Sequence, residues 1–306
     1  MLPIDLRVLG VGSARPRDGS PTSAVHVASG GSRVLVDCGE GTQVQLDRHG
    51  LSLGRLAAVC VTHLHGDHVY GLPGLLASMA LEGRTRPLTV VGPPGLPAFL
   101  AAVAAVTDAH DPGFEVRHVT ADDDEPRRDV LVLPDLAVHT VPLRHRVRCV
   151  GFCVGARERG RHLRPGVVER YGIPYTEIPA LRRGADFAPA DGPPVANADL
   201  TTPPDPPRSV AYLTDTAPLD RWPGAWPPPT VLLHDATFAP EDRALATETG
   251  HSTVTQAAAF AKAAGADRLL LTHLSVRYGN RAALLTQARE VFANADWAVA
   301  GESVVL

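Results

Sequence analysis

The chain is predicted to be an α/β protein with two layered sheets covered by helices, and three observations carry that expectation. Short apolar, β-branched runs alternate with helix-competent segments in both halves of the sequence. In both halves, turns bearing histidine or aspartate come directly after such runs, where a strand hands over to a loop or helix. With 306 residues and 44% hydrophobic content, the chain is long enough to bury a large core.

The elements follow in order. Ile4 to Gly10 alternates into a first strand, and a Gly/Ser/Pro/Arg loop runs from Val11 to Ser20. Ala24 to Ala28 and Arg33 to Val36 are the next strands, joined by a Ser-Gly-Gly turn that favours a hairpin. Asp37-Cys-Gly-Glu-Gly-Thr42 breaks the strand and starts a helix reaching Gly50. Leu56 to Thr62 reads as a buried strand, Val69 to Ala80 as a helix, Leu88 to Val91 as a strand and Leu96 to Thr107 as an Ala-rich helix. Further strands are expected at Val130–Leu133, Leu136–Leu143 and Cys149–Val154. From Gly155 to Pro207 the chain turns rich in Arg, Pro and Gly, with weak periodicity, and is not expected to build a packed core. Ser209–Thr214 and Thr230–His234 resume strands, Thr253–Ala264 is an amphipathic helix and Arg268–Thr272 a strand. Arg281–Phe292 is a helix, and Trp297–Val299 is expected to be the last strand.

Composition excludes several classes. No apolar run approaches the length that spans a bilayer, and the N-terminus lacks the basic-then-apolar layout of a signal peptide, so a cytoplasmic protein with no membrane partner is expected. Cys38, Cys60, Cys149 and Cys153 lie singly in apolar stretches and read as buried thiols, not as a disulfide framework or a Cys-only zinc cluster. The formal net charge of −4 means that any nucleic acid must be held by local patches, not by a global basic field.

Residues 62–68, Thr-His-Leu-His-Gly-Asp-His, pack four potential metal ligands, His63, His65, Asp67 and His68, into six positions on a strand-to-helix turn. Imidazole nitrogen and carboxylate oxygen are donors that zinc and similar first-row cations accept. A patch of surface histidines is the plain alternative, but such a density of Asp beside His calls for a positive charge between them. Three more residues stand where apolar strands end: His145, Asp215 and His273. Singly, each is as readily a cap or a turn residue. Together with the opening run they make two sites, with His63, His65 and His145 at one, Asp67, His68 and His273 at the other, and Asp215 between them. Two metals about 3.5–4 Å apart activate a shared water and clamp both oxygens of an in-line displacement. Two divalent cations balanced by two carboxylates and one hydroxide remain net positive, which favours an anionic phosphodiester.

His63-Leu-His-Gly-Asp-His68 resembles the signature of the metallo-β-lactamase superfamily, which implies a four-layer αββα sandwich. The wider sequence is similar to one branch, the ribonuclease Z endonucleases that remove the 3′ trailer from precursor tRNA. That similarity rests on Val36-Asp-Cys-Gly-Glu-Gly-Thr-Gln43, Leu213-Thr-Asp-Thr216, His234-Asp-Ala-Thr-Phe238, His251-Ser-Thr253 with Gln256-Ala-Ala258, and Thr272-His-Leu-Ser-Val-Arg-Tyr278. The resemblance implies one domain over residues 1–306, with 155–207 as an inserted arm that contacts tRNA, and a homodimer. It implies two divalent ions per chain, Zn2+ first among them, held by the seven residues above. Asp67 is then also a proton acceptor, and His251 protonates the leaving oxygen, oriented by Asp235.

Three departures from the family pattern stand out. Asp235 replaces a Glu one methylene longer, and Pro16-Arg-Asp-Gly-Ser-Pro-Thr22 lacks the family's Arg-Asn pair. The arm carries Arg157, Arg159, Arg161, Arg164, Arg182 and Arg183, but Tyr171-Gly-Ile-Pro-Tyr-Thr-Glu177 lacks a Gly-Pro tip. These departures also permit a related phosphodiesterase acting on small or other RNA phosphodiesters. A non-catalytic protein with a purely structural metal is disfavoured, because structural zinc sites close with four protein ligands. Asp37 is a candidate partner for a ligand histidine, with a fold-stabilising role as the alternative.

Overall fold

The structure, a computed structural model, describes residues 2–17, 19–107, 112–122, 124–157, 160–223 and 226–306. Arg159 of the arm and Asp18 of the N-terminal loop lie outside the described residues. The first sheet is built from β1 (Asp5–Gly10), β2 (Ala24–Ser29), β3 (Ser32–Val36), β4 (Ala58–Cys60), β5 (Leu88–Gly92) and β6 (Val116–Thr120). The second begins with β7 (Leu131–Val132), β8 (Leu136–Pro142) and β9 (Val150–Ala156). A short ladder of β10 (His162–Leu163) and β11 (Thr201–Thr202) follows, and β12 (Ser209–Leu213), β13 (Val231–Asp235), β14 (Arg268–Thr272) and β15 (Ala295–Trp297) complete the second sheet. The last strand, β16 (Ser303–Val305), returns to pair with β1. The sheet orders are β16-β1-β2-β3-β4-β5-β6 and β15-β14-β13-β12-β9-β8-β7.

Strand alternation explains how the sheets stack. Leu35, Val59, Val61 and Val90 pack in one apolar cluster with Leu46, Leu72 and Leu75, which belong to α1 (Thr42–Arg48) and to α3 (Gly71–Leu81), the helix following the single turn α2 (Gly66–Val69). Phe99 and Leu100 of α4 (Leu96–Thr107) extend that layer. Their strand neighbours Val34 and Val36 point to the opposite face and are equally buried, so both faces of the sheet are covered. The second sheet repeats the arrangement with Ala211, Leu213, Leu232, Leu269 and Leu271 against the helices α9 (Val254–Ala264) and α10 (Arg281–Val291), while Tyr212, Leu233 and Leu270 fill the other face. The result is helices, sheet, sheet, helices. Trp222 and Trp226 are buried in this second cluster and act as packing anchors.

Residues 157–207 form a separate compact unit. Contrary to the expectation from composition, this unit has an apolar core of its own. Val167 and Ile173 frame α5 (Val167–Tyr171), Leu181 comes from α6 (Ile178–Arg182), Leu200 from α7 (Asn197–Leu200), and Phe187 completes the cluster. Asn197 ties it together, its Nδ2 donating to the Leu181 and Ala185 carbonyls at 2.8 and 2.6 Å. Gly155 and Ala156 belong to β9, so the unit starts at Arg157. Two further expectations are corrected. The strand placed at Trp297–Val299 is Ala295–Trp297, and β16 rather than that strand is the last. A helix, α8 (Arg243–Thr249), and the strand β6 carry no clear signal in the sequence pattern.

Candidate metal centre

The site sits where parallel strands end. β3 and β4 are parallel neighbours, as are β12, β13 and β14. Asp37 and His63 follow β3 and β4, while Asp215, Asp235 and His273 lie at or just beyond the ends of β12, β13 and β14. Carboxyl ends of parallel strands are where open α/β sheets place their ligands. Asp37, Asp215 and His273 each adopt a left-handed backbone, with φ of 58°, 55° and 63°. Non-glycine residues in that region are uncommon and collect at functional sites. The opening run turns at Gly66, where a Cβ would lie 2.4 Å from the Tyr70 ring, so a larger residue would have to displace that ring.

All seven sequence-derived ligand candidates converge. Ligand atoms of His63, His65, His145 and Asp215 form one group, and those of Asp67, His68 and His273 another, each within 4.8 Å. Asp215 faces both. Its Oδ2 lies 3.6 Å from His63 Nε2 and 3.9 Å from His145 Nε2, and its Oδ1 lies 3.3 Å from His68 Nε2 and 3.2 Å from His273 Nε2. The two oxygens of one carboxylate thus address the two clusters separately.

A chain of buried partners aims the imidazoles. Thr62 donates to Asp37 through its amide (2.8 Å) and its hydroxyl (3.0 Å), so that hydroxyl accepts from His63 Nδ1 at 3.0 Å. His68 Nδ1 donates to Asp37 Oδ2 at 2.7 Å, and His145 Nδ1 to the Gly250 carbonyl at 2.9 Å. Thr237 Oγ1 donates to Asp235 Oδ1 at 2.7 Å and accepts from His273 Nδ1 at 3.0 Å. With Nδ1 of each ring donating outward, the Nε2 atoms of His63, His68, His145 and His273 all face the centre. Burial lowers the His68 pKa, but Asp215 and Asp37 outweigh it and raise it well above its ordinary value. Thr62 and Thr237 lie within the quoted motifs, but nothing in those motifs marks them as partners of histidines, and the Gly250 carbonyl leaves no signal in the sequence.

The donor set fits divalent cations. His68 Nε2 and His145 Nε2 are buried without a hydrogen-bond partner, and His63 Nε2 and His65 Nδ1 lie 2.9 Å apart, facing the same point. Four carboxylates, Asp37, Asp67, Asp215 and Asp235, are buried in the same place. Buried anions in this density require positive charge beside them. Burial opposes ionisation of Asp67, but its contacts with His273 and His68 outweigh that and hold its carboxyl far below the usual range. Asp215 behaves alike, with burial opposed by His273 and His68. Burial, with His68 nearby, pushes His63 well below its ordinary value, and burial also lowers His65 and His145. These imidazoles are therefore neutral, the form that binds a metal.

His251 stands beside the clusters, just before the capping box that starts α9. Its ring is stacked on His273 at 5.4 Å and set edge-on to His145 at 5.0 Å. Asp235 reaches it despite its shorter side chain: His251 Nδ1 donates to Asp235 Oδ2 at 2.6 Å. The same carboxylate accepts from the amides of Thr216 and Thr237, both at 2.9 Å. Burial lowers the His251 pKa, the Asp235 carboxylate raises it, and the net shift is upward. The N-terminal loop also touches the centre, since the Ala14 amide donates to Asp67 Oδ2 at 2.7 Å.

The fold and the paired His/Asp clusters define the class, a metallo-β-lactamase-fold protein with a divalent metal centre. A family model described as beta-lactamase superfamily domain matches residues 200–274, and one described as Anti-Pycsar protein Apyc1 matches residues 4–96. The chain is 44% identical to a ribonuclease Z of Salinibacter ruber over 297 residues, 96% of this chain and 91% of the relative. It is 39% identical to a ribonuclease Z of Porphyromonas gingivalis, with 95% of each covered. The crystal structure of the short form of human tRNase Z superposes with a TM-score of 0.66 at 26% identity, covering 98% of both chains. The chain belongs to the ribonuclease Z family.

Proposed function

We propose that this chain is an endoribonuclease that hydrolyses a phosphodiester to remove the 3′ trailer from precursor tRNA, using two divalent ions, Zn2+ by its nitrogen-rich donor set. The observation that carries this reading is the placement of Asp215, whose two oxygens face two separate three-residue clusters. His63, His65 and His145 would hold one ion and Asp67, His68 and His273 the other. When bound, such a pair makes a water more acidic and offsets the charge that builds on phosphate.

The rest falls to the chain's own side chains. Asp67, with one carboxylate oxygen held by the Ala14 amide at 2.7 Å, accepts the proton that the attacking water releases. His251, kept protonated by Asp235, delivers a proton to the leaving oxygen. The arm supplies arginines for tRNA phosphates. Arg157, Arg164 and Arg183 are exposed, whereas Arg161 and Arg182 are half-buried and engaged within the unit, Arg161 with Thr201 at 2.7 Å and Arg182 with the Arg161 carbonyl at 3.3 Å. In this reading the enzyme is a cytoplasmic homodimer, with one subunit's arm gripping tRNA at its partner's site. Among the described residues no helix is long and apolar enough to cross a membrane.

Incubation with an unprocessed precursor tRNA beside a generic phosphodiester ester tests the reading. Cleavage of both supports it. Cleavage of the ester alone favours the phosphodiesterase of small substrates.

A further inference from the structure

We infer that the apolar pocket beside His65 is a stacking subsite for the base of a nucleotide flanking the scissile phosphate, an inference that rests on the endoribonuclease reading. The pocket has a volume of about 260 Å³ and is walled by Leu64, His65, Pro93, Gly95, Val147 and Arg148. That is below the roughly 300–1,000 Å³ of drug-sized sites and suits one flat ring. His65 joins it to the centre: the same imidazole that lines the pocket has its Nδ1 2.9 Å from His63 Nε2. A group seated there is therefore one side chain from the candidate metal centre.

The wall chemistry matches a base. Val147 is 41% exposed between Arg146 and Arg148, an apolar side chain turned outward in a basic stretch. Arg148, anchored to Asp122 at 2.9 Å, brings a planar cation to the rim, suited to a base face and its phosphate. With Arg148 as the main polar group besides His65, the subsite reads stacking rather than base edges and accepts any base.

The test uses the full-length, metal-loaded protein and precursor tRNAs carrying an abasic ribose immediately 5′ or 3′ of the cleaved phosphate. One of the two substitutions is expected to raise KM roughly 5- to 100-fold, the range for losing one stacked base, while exchanging the four bases there changes it little. Val147→Trp, which fills the pocket, is expected to raise KM for the intact precursor comparably and to erase the further penalty of that abasic site. Metal content and melting temperature check that the variant is folded, and Gly95→Leu, whose Cβ would meet Leu64 Cδ1 at 3.0 Å, runs the same cycle if it is not. Penalties that multiply independently, or indifference to both abasic substrates, overturn the subsite alone. A parent protein that cleaves no RNA overturns the endoribonuclease reading and the subsite with it.

Discussion

His251 Nδ1 and Asp235 Oδ2 lie 2.6 Å apart, with the carboxylate fully buried and its remaining capacity filled by amides and a hydroxyl. A carboxylate so fixed both orients the ring and favours its charged form. His251→Ala is expected to lower turnover by roughly 10²–10⁴-fold, the range for a positioned proton donor, with metal content intact. Asp235→Asn removes the group that raises the His251 pKa. A general acid acts while protonated, so the alkaline limb of the pH–rate profile is expected to move to lower pH in that variant. An unmoved limb would show that another group titrates.

Asp37 links two candidate ligand histidines, His68 directly at 2.7 Å and His63 through the Thr62 hydroxyl. Asp37→Asn is expected to weaken metal binding by roughly 10–100-fold, as for other outer partners of metal-bound histidines. Competition with a chelator of known affinity measures it. Affinity equal to the parent's would reduce Asp37 to a support of the fold.

His26 lies on β2, buried and distant in sequence from the centre. Burial, aided by Arg33, pulls its pKa down to about 4 from 6.5. The ring is therefore neutral in the fold, and between those values the unfolded chain binds the extra proton. Its contribution to stability is complete above the unfolded pKa and is lost as pH falls through the folded one. The penalty approaches roughly 3 kcal/mol below pH 4. His26→Leu is expected to gain stability relative to the parent as pH drops from 7 towards 4, read from urea unfolding midpoints. A constant difference would contradict the assignment.

The arm leaves and rejoins the body at adjacent points, because the Ala156 amide donates to the Arg208 carbonyl at 2.9 Å. Residues 157–207 can therefore be replaced by a short turn without parting β9 from β12. That deletion is expected to raise KM for precursor tRNA and to flatten its salt dependence. The slope falls by about one unit for each tRNA phosphate that the arm's arginines neutralise. Wild-type KM and slope after deletion would mean that the arm does not touch tRNA.

Much of the centre was legible because each candidate ligand ends or follows an apolar strand, a pattern that needs no tertiary information. Its supports were not legible. Thr237 meets His273 across 36 positions, and the Gly250 carbonyl meets His145 across 105, pairings that only folding creates. The left-handed backbone at Asp215 and His273 leaves only a weak mark in residue type, since Asp and His are enriched in that region without being confined to it. Elements without a clear sequence pattern have weak or irregular burial. β6 is an edge strand with little buried surface, and β16 is short and largely exposed. The arm's core residues, from Val167 to Leu200, recur with neither helical nor strand period.

Asp215 is proposed to join two metal positions into one reactive centre. Metal analysis of fully active protein, beside Asp215→Ala, tests it most directly. Two divalent ions per chain are expected in the parent, and loss of most metal together with most precursor-tRNA cleavage in the variant. Full activity with one ion or none, or an Asp215→Ala protein that keeps both metal and activity, would contradict it.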